Sequence, residues 1–113
     1  MASLEWTNAF PASITVCDDK GVLLEMNDRA AETLKADGGR LLIGKNILDC
    51  HPEPARTKTS QLLKTGSINV YSIEKNGVKK LIYQAPWYRD GKYAGLVELS
   101  IEIPFDLPHF VRS

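Results

Sequence analysis

Cys50-His51-Pro52 sets the two most reactive kinds of side chain next to each other. A thiolate and a neutral imidazole are both good ligands for iron and other transition metals, and the same two groups form the nucleophile and base of many hydrolases. Catalysis of that kind needs side chains that converge from separate parts of a fold, with a third group to orient the imidazole, and adjacent residues seldom point toward one another. The other histidine, His109, follows Pro108 in a tail for which no fixed position is expected. No phosphate-binding glycine loop and no helical metal motif is present. The expectation is therefore a chain with no catalytic residues and no enzymatic activity. With Cys17 and Cys50 alone, and no Cys-x-x-Cys spacing, no metal site is expected either, and both thiols read as free in a reducing compartment. The structural alternative for the pair is that His51 caps the first turn of a following helix while Cys50 packs beneath it as a small apolar residue.

The elements that must position this segment follow from pattern. Residues 81–103 read as two long strands joined at Arg89-Asp90-Gly91-Lys92; in the second, Val97, Leu99, Ile101 and Ile103 alternate with Glu98, Ser100 and Glu102, the period of a sheet with one dry and one wet face. Residues 13–17 and 22–26 form a hairpin across Asp18-Asp19-Lys20-Gly21. Asn27 or Asp28 caps a helix that Asp37-Gly38-Gly39 ends, a short segment broken by Gly44 covers 41–48, and Pro54 opens a helix that stops at Gly66. Strands at 67–74 and 78–88 meet at Asn76-Gly77. Leu4, Trp6 and Phe10 form an apolar cluster in a leader that Pro11 ends.

Composition narrows the class. At 113 residues the chain holds one core, and its organisation is expected to be a leader at 1–12, a domain at 13–103 and a tail at 104–113. Lys plus Arg and Asp plus Glu number 14 each, so no net field favours nucleic acid or an anionic membrane. No apolar run approaches the roughly 20 residues that span a bilayer, and Glu5 interrupts any signal-peptide pattern. A cytoplasmic location is expected.

The order of two strands, several short helices and three strands resembles the PAS domain. Val16-Cys17-Asp18-Asp19-Lys20-Gly21-Val22-Leu23-Leu24-Glu25-Met26-Asn27 is similar to that family's first hairpin, Leu42-Ile43-Gly44-Lys45-Asn46-Ile47-Leu48 to its Gly-centred short helix, and Tyr88-Arg89-Asp90-Gly91-Lys92-Tyr93-Ala94-Gly95-Leu96-Val97-Glu98 to its final hairpin. The resemblance implies an α+β fold: a five-stranded antiparallel sheet in the order 2-1-5-4-3, short helices on one face, and a ligand cavity between them. It implies a sensory, signal-transducing role. Some PAS domains hold haem through a histidine on the long helix, which makes His51 a candidate axial ligand, although it precedes that helix. The flavin-binding branch places its cysteine in an Asn-Cys-Arg-Phe context that Asp49-Cys50-His51-Pro52 does not match. The cofactor is left unknown.

If Leu99 and Ile101 face the helices, alternation makes Leu81, Tyr83, Ala85 and Trp87 the rest of the inner set, and the expected ligand-binding residues are these with Leu99, His51 and Cys50. Ile82, Tyr88 and Leu96 then fall on the outer face, where the resemblance implies dimerisation together with Leu4, Trp6 and Phe10 of the leader. Two functions stay open: a small-molecule sensor that signals through a homodimer or a separate effector protein, and an interaction module whose core is filled by its own side chains.

Overall fold

The computed structural model describes residues 5–113. A one-turn helix, α1 (Glu5–Ala9), precedes the first hairpin, β1 (Ser13–Asp18) and β2 (Leu23–Met26). Asp18 builds the turn between them: its Oδ1 accepts from the backbone N–H of Lys20 and of Val22, both at 2.9 Å, an arrangement that substitutes for a backbone turn. Asn27 does more. Its Oδ1 caps α2 (Asp28–Thr33) by accepting from Ala30 N at 3.1 Å and also accepts from Ile14 N at 3.0 Å, while its Nδ2 donates to Ala12 O at 2.7 Å and Thr7 O at 3.0 Å. One buried side chain thus joins the leader, β1 and α2 with no polar atom wasted.

Beyond α2 the chain turns three times as 3-10 helix, at Lys35–Asp37, Gly39–Leu42 and Ile47–Cys50. Helix α3 (Ala55–Thr65) follows, buries Thr59, Leu62 and Leu63, and ends at Gly66, whose left-handed backbone lets its N–H reach Leu62 O at 2.8 Å. The remainder is strand: β3 (Asn69–Lys75), β4 (Val78–Arg89) and β5 (Lys92–Ile103). Asn76 and Asp90 adopt positive φ, 54° and 52°, each ahead of a glycine at 77°, which are the two-residue hairpin turns their dipeptides announce. The strands form one antiparallel sheet in the order β2-β1-β5-β4-β3, the order expected from the resemblance.

Two small apolar clusters hold helices to sheet. Leu23, Met26, Ala30 and Leu42 form one; Cys17, Leu63 and Leu96 form the other, and Ile47 packs against both. The tightest approach lies between β1 and β5, where a Cβ on Gly95 would stand 1.9 Å from Cys17 O. Trp87, which pairs with Gly95 on β4, donates its indole N–H to that same oxygen at 2.9 Å.

The leader lies on the helical side: α1 packs against α2 and is held by the bond from Asn27 to Thr7 O. Trp6 and Phe10 stack edge to face and stay exposed; Leu4 lies outside the described residues. Residues 104–113 carry no helix or strand. Among the described residues no helix is long and apolar enough to cross a membrane.

Candidate functional site

The helix-facing side of the sheet is the opposite of the one expected. Ile82, Gln84 and Leu96 are buried beneath the helical cover, whereas Tyr83 is 37 % exposed. Leu81, Tyr83, Ala85, Trp87 and Leu99, expected in the pocket, line the outer face together with Val97 and Ile101; Ile82 and Leu96, expected at a dimer interface, face inward. The two sets keep their expected partners, since Tyr83 pairs with Leu99 and Ile82 with Ser100, but the sheet is turned over. The physical reason is that the covered side is mixed, with Ile82 and Leu96 sharing it with Gln84, Glu98 and Ser100, so apolar content alone does not mark it. Tyr88 lies past a bulge between Trp87 and Tyr88, exposed and edge-on to Tyr93.

A polar belt runs across four strands on the inner face. Thr15 of β1 pairs with Glu98 of β5, Glu98 with Gln84 of β4, and Gln84 with Asn69 of β3. Side-chain hydrogen bonds follow this row in one direction: Asn69 Nδ2 donates to Gln84 Oε1 at 2.8 Å, and Gln84 Nε2 donates to Glu98 Oε1 at 2.7 Å. The second oxygen of Glu98 has no partner among the described residues. One rung further along, Ser13 pairs with Ser100 and Ser100 with Ile82. Thr15, Ser13 and Ser100 therefore set three hydroxyls around one half-buried carboxylate.

Above this floor stands a cavity of about 270 Å³, just below the range of roughly 300–1,000 Å³ for ligand sites. Leu23 and Ile82 line it below, Thr33, Leu34 and Leu42 come from α2 and the turns after it, and Cys50 and His51 close it. Lys45 and Asp37 stand at the exposed rim. A narrow extension of about 50 Å³ passes Cys17, Thr59 and Leu96, and an open cleft of about 350 Å³ lies beyond His51 and Gln84, against Lys58 of α3 and Tyr71 of β3.

His51 does not cap α3. It ends the preceding turn, and its Nδ1 lies 2.6 Å from Ile47 O. A carbonyl oxygen only accepts, so Nδ1 carries the proton and donates, which leaves Nε2 as the ring's other polar atom. Of the residues expected to bind ligand, His51 and Cys50 do line the cavity. They do not make a haem site, because a porphyrin needs an apolar slot and the floor offers a carboxylate and three hydroxyls. The Glu98 charge reaches its neighbours: burial first, and the carboxylate after it, raises the Tyr71 hydroxyl above its usual range. Burial likewise pushes the Cys17 thiol up, helped by Asp18 and Glu98.

An antiparallel sheet in this order, with short helices over one face and a chamber between, is the PAS architecture, and comparison agrees. No family model and no curated protein matches the sequence. Solved structures do match. The PAS domain of BvgS from Bordetella pertussis has a TM-score of 0.63 at 21 % identity, over 88 % of this chain and 82 % of that one. The Aer2 receptor of Vibrio cholerae, a dual PAS-haem oxygen sensor, gives 0.58 at 18 % identity, over 82 % and 95 %. VqmA of the same organism, bound to DPO, gives 0.65 at 16 % identity, over 87 % and 54 %. The chain has the PAS fold.

Proposed function

We propose that this chain is a sensory domain that holds a small molecule in the chamber between sheet and helices and signals through the outer face of its sheet. The observation that carries the reading is the chamber itself, which the chain's own side chains leave unfilled and whose largely apolar lining carries a patch of polar groups on its floor. Solved PAS structures lend support, since Aer2 senses oxygen through haem and VqmA binds DPO. In this reading the domain spans 13–103, with 1–12 a leader and 104–113 a tail, and the chamber residues bind rather than catalyse.

The outer face provides the output. Leu81, Leu99 and Ile101 are only half-buried and Tyr83 is exposed, so the face suits a second copy of the chain, to which the exposed Trp6, Phe10 and Tyr88 add apolar surface elsewhere. Native mass spectrometry of the purified protein and thermal-shift screening across a metabolite panel test the reading. A bound species, or a panel member that raises Tm, is the expected result; Ser100→Leu, whose side chain enters the chamber, then abolishes it while the protein stays folded. No bound species and no shift across the panel would leave the interaction module as the function.

A further inference from the structure

Resting on the reading of the chamber as a ligand site, we infer that its occupant is a small protonated amine, seated by its ammonium group on the Glu98 carboxylate. The floor of the chamber is a two-by-two patch fixed by strand register: Thr15 beside Glu98, Ser13 beside Ser100. Glu98 has one oxygen committed to Gln84 and the other free of protein partners among the described residues. The hydroxyls of Thr15, Ser13 and Ser100 are also without hydrogen bonds among them. An ammonium presents three donors and no acceptor. One carboxylate oxygen and two hydroxyl oxygens satisfy it completely.

Charge selects the same class. Neither of the two ion pairs formed among the described residues involves Glu98, so nothing there neutralises the carboxylate, and at the rim Asp37 offsets Lys45. A carboxylate or phosphate ligand would meet an uncompensated like charge at the floor, where partial burial makes repulsion stronger than in water. Gln84 relieves it little: its carbonyl oxygen is taken by Asn69 and one of its two amide N–H groups already points at Glu98, which leaves a single neutral donor against a full charge. Leu23 and Ile82 beside this polar patch, and Leu34, Leu42 and Ile47 from the helices and turns that cover it, supply apolar surface. The ligand so described has a cationic amine at one end and a short hydrocarbon body.

The test uses three probes of one shape on the full chain, n-pentylamine, 1-pentanol and pentanoate, read by Tm and by titration calorimetry at neutral pH. Pentylamine is expected to raise Tm, pentanol less, and pentanoate not at all. Glu98→Gln keeps an oxygen for Gln84 to donate to, and is expected to unfold at nearly the wild-type temperature while weakening pentylamine by at least about tenfold. Binding of pentanol or pentanoate as tight as that of pentylamine to the wild-type chain would overturn the amine assignment and leave the ligand site standing. Equal pentylamine affinity in Glu98→Gln would overturn it too, as would no response to any of the three; that last result, joined to a silent metabolite panel, would remove the site as well.

Discussion

The two faces of one sheet differ in the reverse of the usual sense. The roofed face carries Ser13, Thr15, Asn69, Gln84, Glu98 and Ser100, and the unroofed face carries Leu81, Tyr83, Ala85, Val97, Leu99 and Ile101. A sheet that only had to fold would place these sets the other way round, because burying apolar area stabilises by about 25 cal/mol per Å². Hydrophobic burial under the roof is split, with Leu23, Met26, Ala30 and Leu42 meeting on one side, Cys17, Leu63 and Leu96 on the other, and Ile82 between the polar residues of β4 and β5. The row from Thr15 to Asn69 is given to hydrogen-bonding groups. In the proposed reading, binding falls to the polar patch on the roofed face and output to the outer face.

The most damaging way to break this contrast is to separate the strands that bear both faces. Gly95→Ala places a methyl against the Cys17 carbonyl, and denaturant titration should show a loss of more than about 4 kcal/mol, or no folded protein. Next in size is a pair of truncations on neighbouring residues that point opposite ways. Ile82→Ala removes a buried side chain and should cost about 2–4 kcal/mol. Leu81→Ala should cost less, about 1–2 kcal/mol in dilute solution, since its side chain is only partly buried when folded. If a second copy covers the outer face, the Leu81→Ala cost grows with protein concentration and sedimentation shows the variant dissociating first.

A smaller effect comes from pH. Cys17, Tyr71 and Tyr93 all have their pKa raised on folding, each chiefly by burial. The folded state therefore binds these protons more tightly than the unfolded chain does. Their stabilising contribution is complete at neutral pH and is lost as pH climbs past about 8.5 for the thiol and about 10 for the phenols. Tm should fall along that alkaline limb, and Cys17→Ala should remove the early part of the fall. The least effect separates the thiols: at neutral pH a maleimide should label exposed Cys50 and leave buried Cys17 unmodified until the protein unfolds.

Much of the fold was legible in residue order. Asn76-Gly77 and Asp90-Gly91 marked their hairpins, Asn27 marked a helix start, and Gly66 marked a helix end, because each is a local backbone requirement that one residue type meets. The site was less legible. Strand period says which residues share a side, and Leu99 with Tyr83 was correctly kept apart from Ile82 with Ser100, but period alone does not say which side is roofed. The choice rested on hydrophobicity, which fails where the roofed side of the strands mixes polar with apolar residues. Glu98, Ser100, Thr15 and Gln84 were missed for that reason. A signal did exist: four polar residues fall on one row of the sheet, but counting back from the Asp90-Gly91 turn sets Gln84 opposite Val97. Only the bulge beside Trp87 and Tyr88 brings it to Glu98.

The fourfold bonding of Asn27 makes it a mooring point. Its amide holds Thr7 in the leader, while its oxygen holds the start of α2 and the strand that carries Ser13 and Thr15. Tension applied to the leader is therefore borne at two walls of the chamber at once, and an occupant that tightens those walls is felt, through the same amide, at the front of the chain.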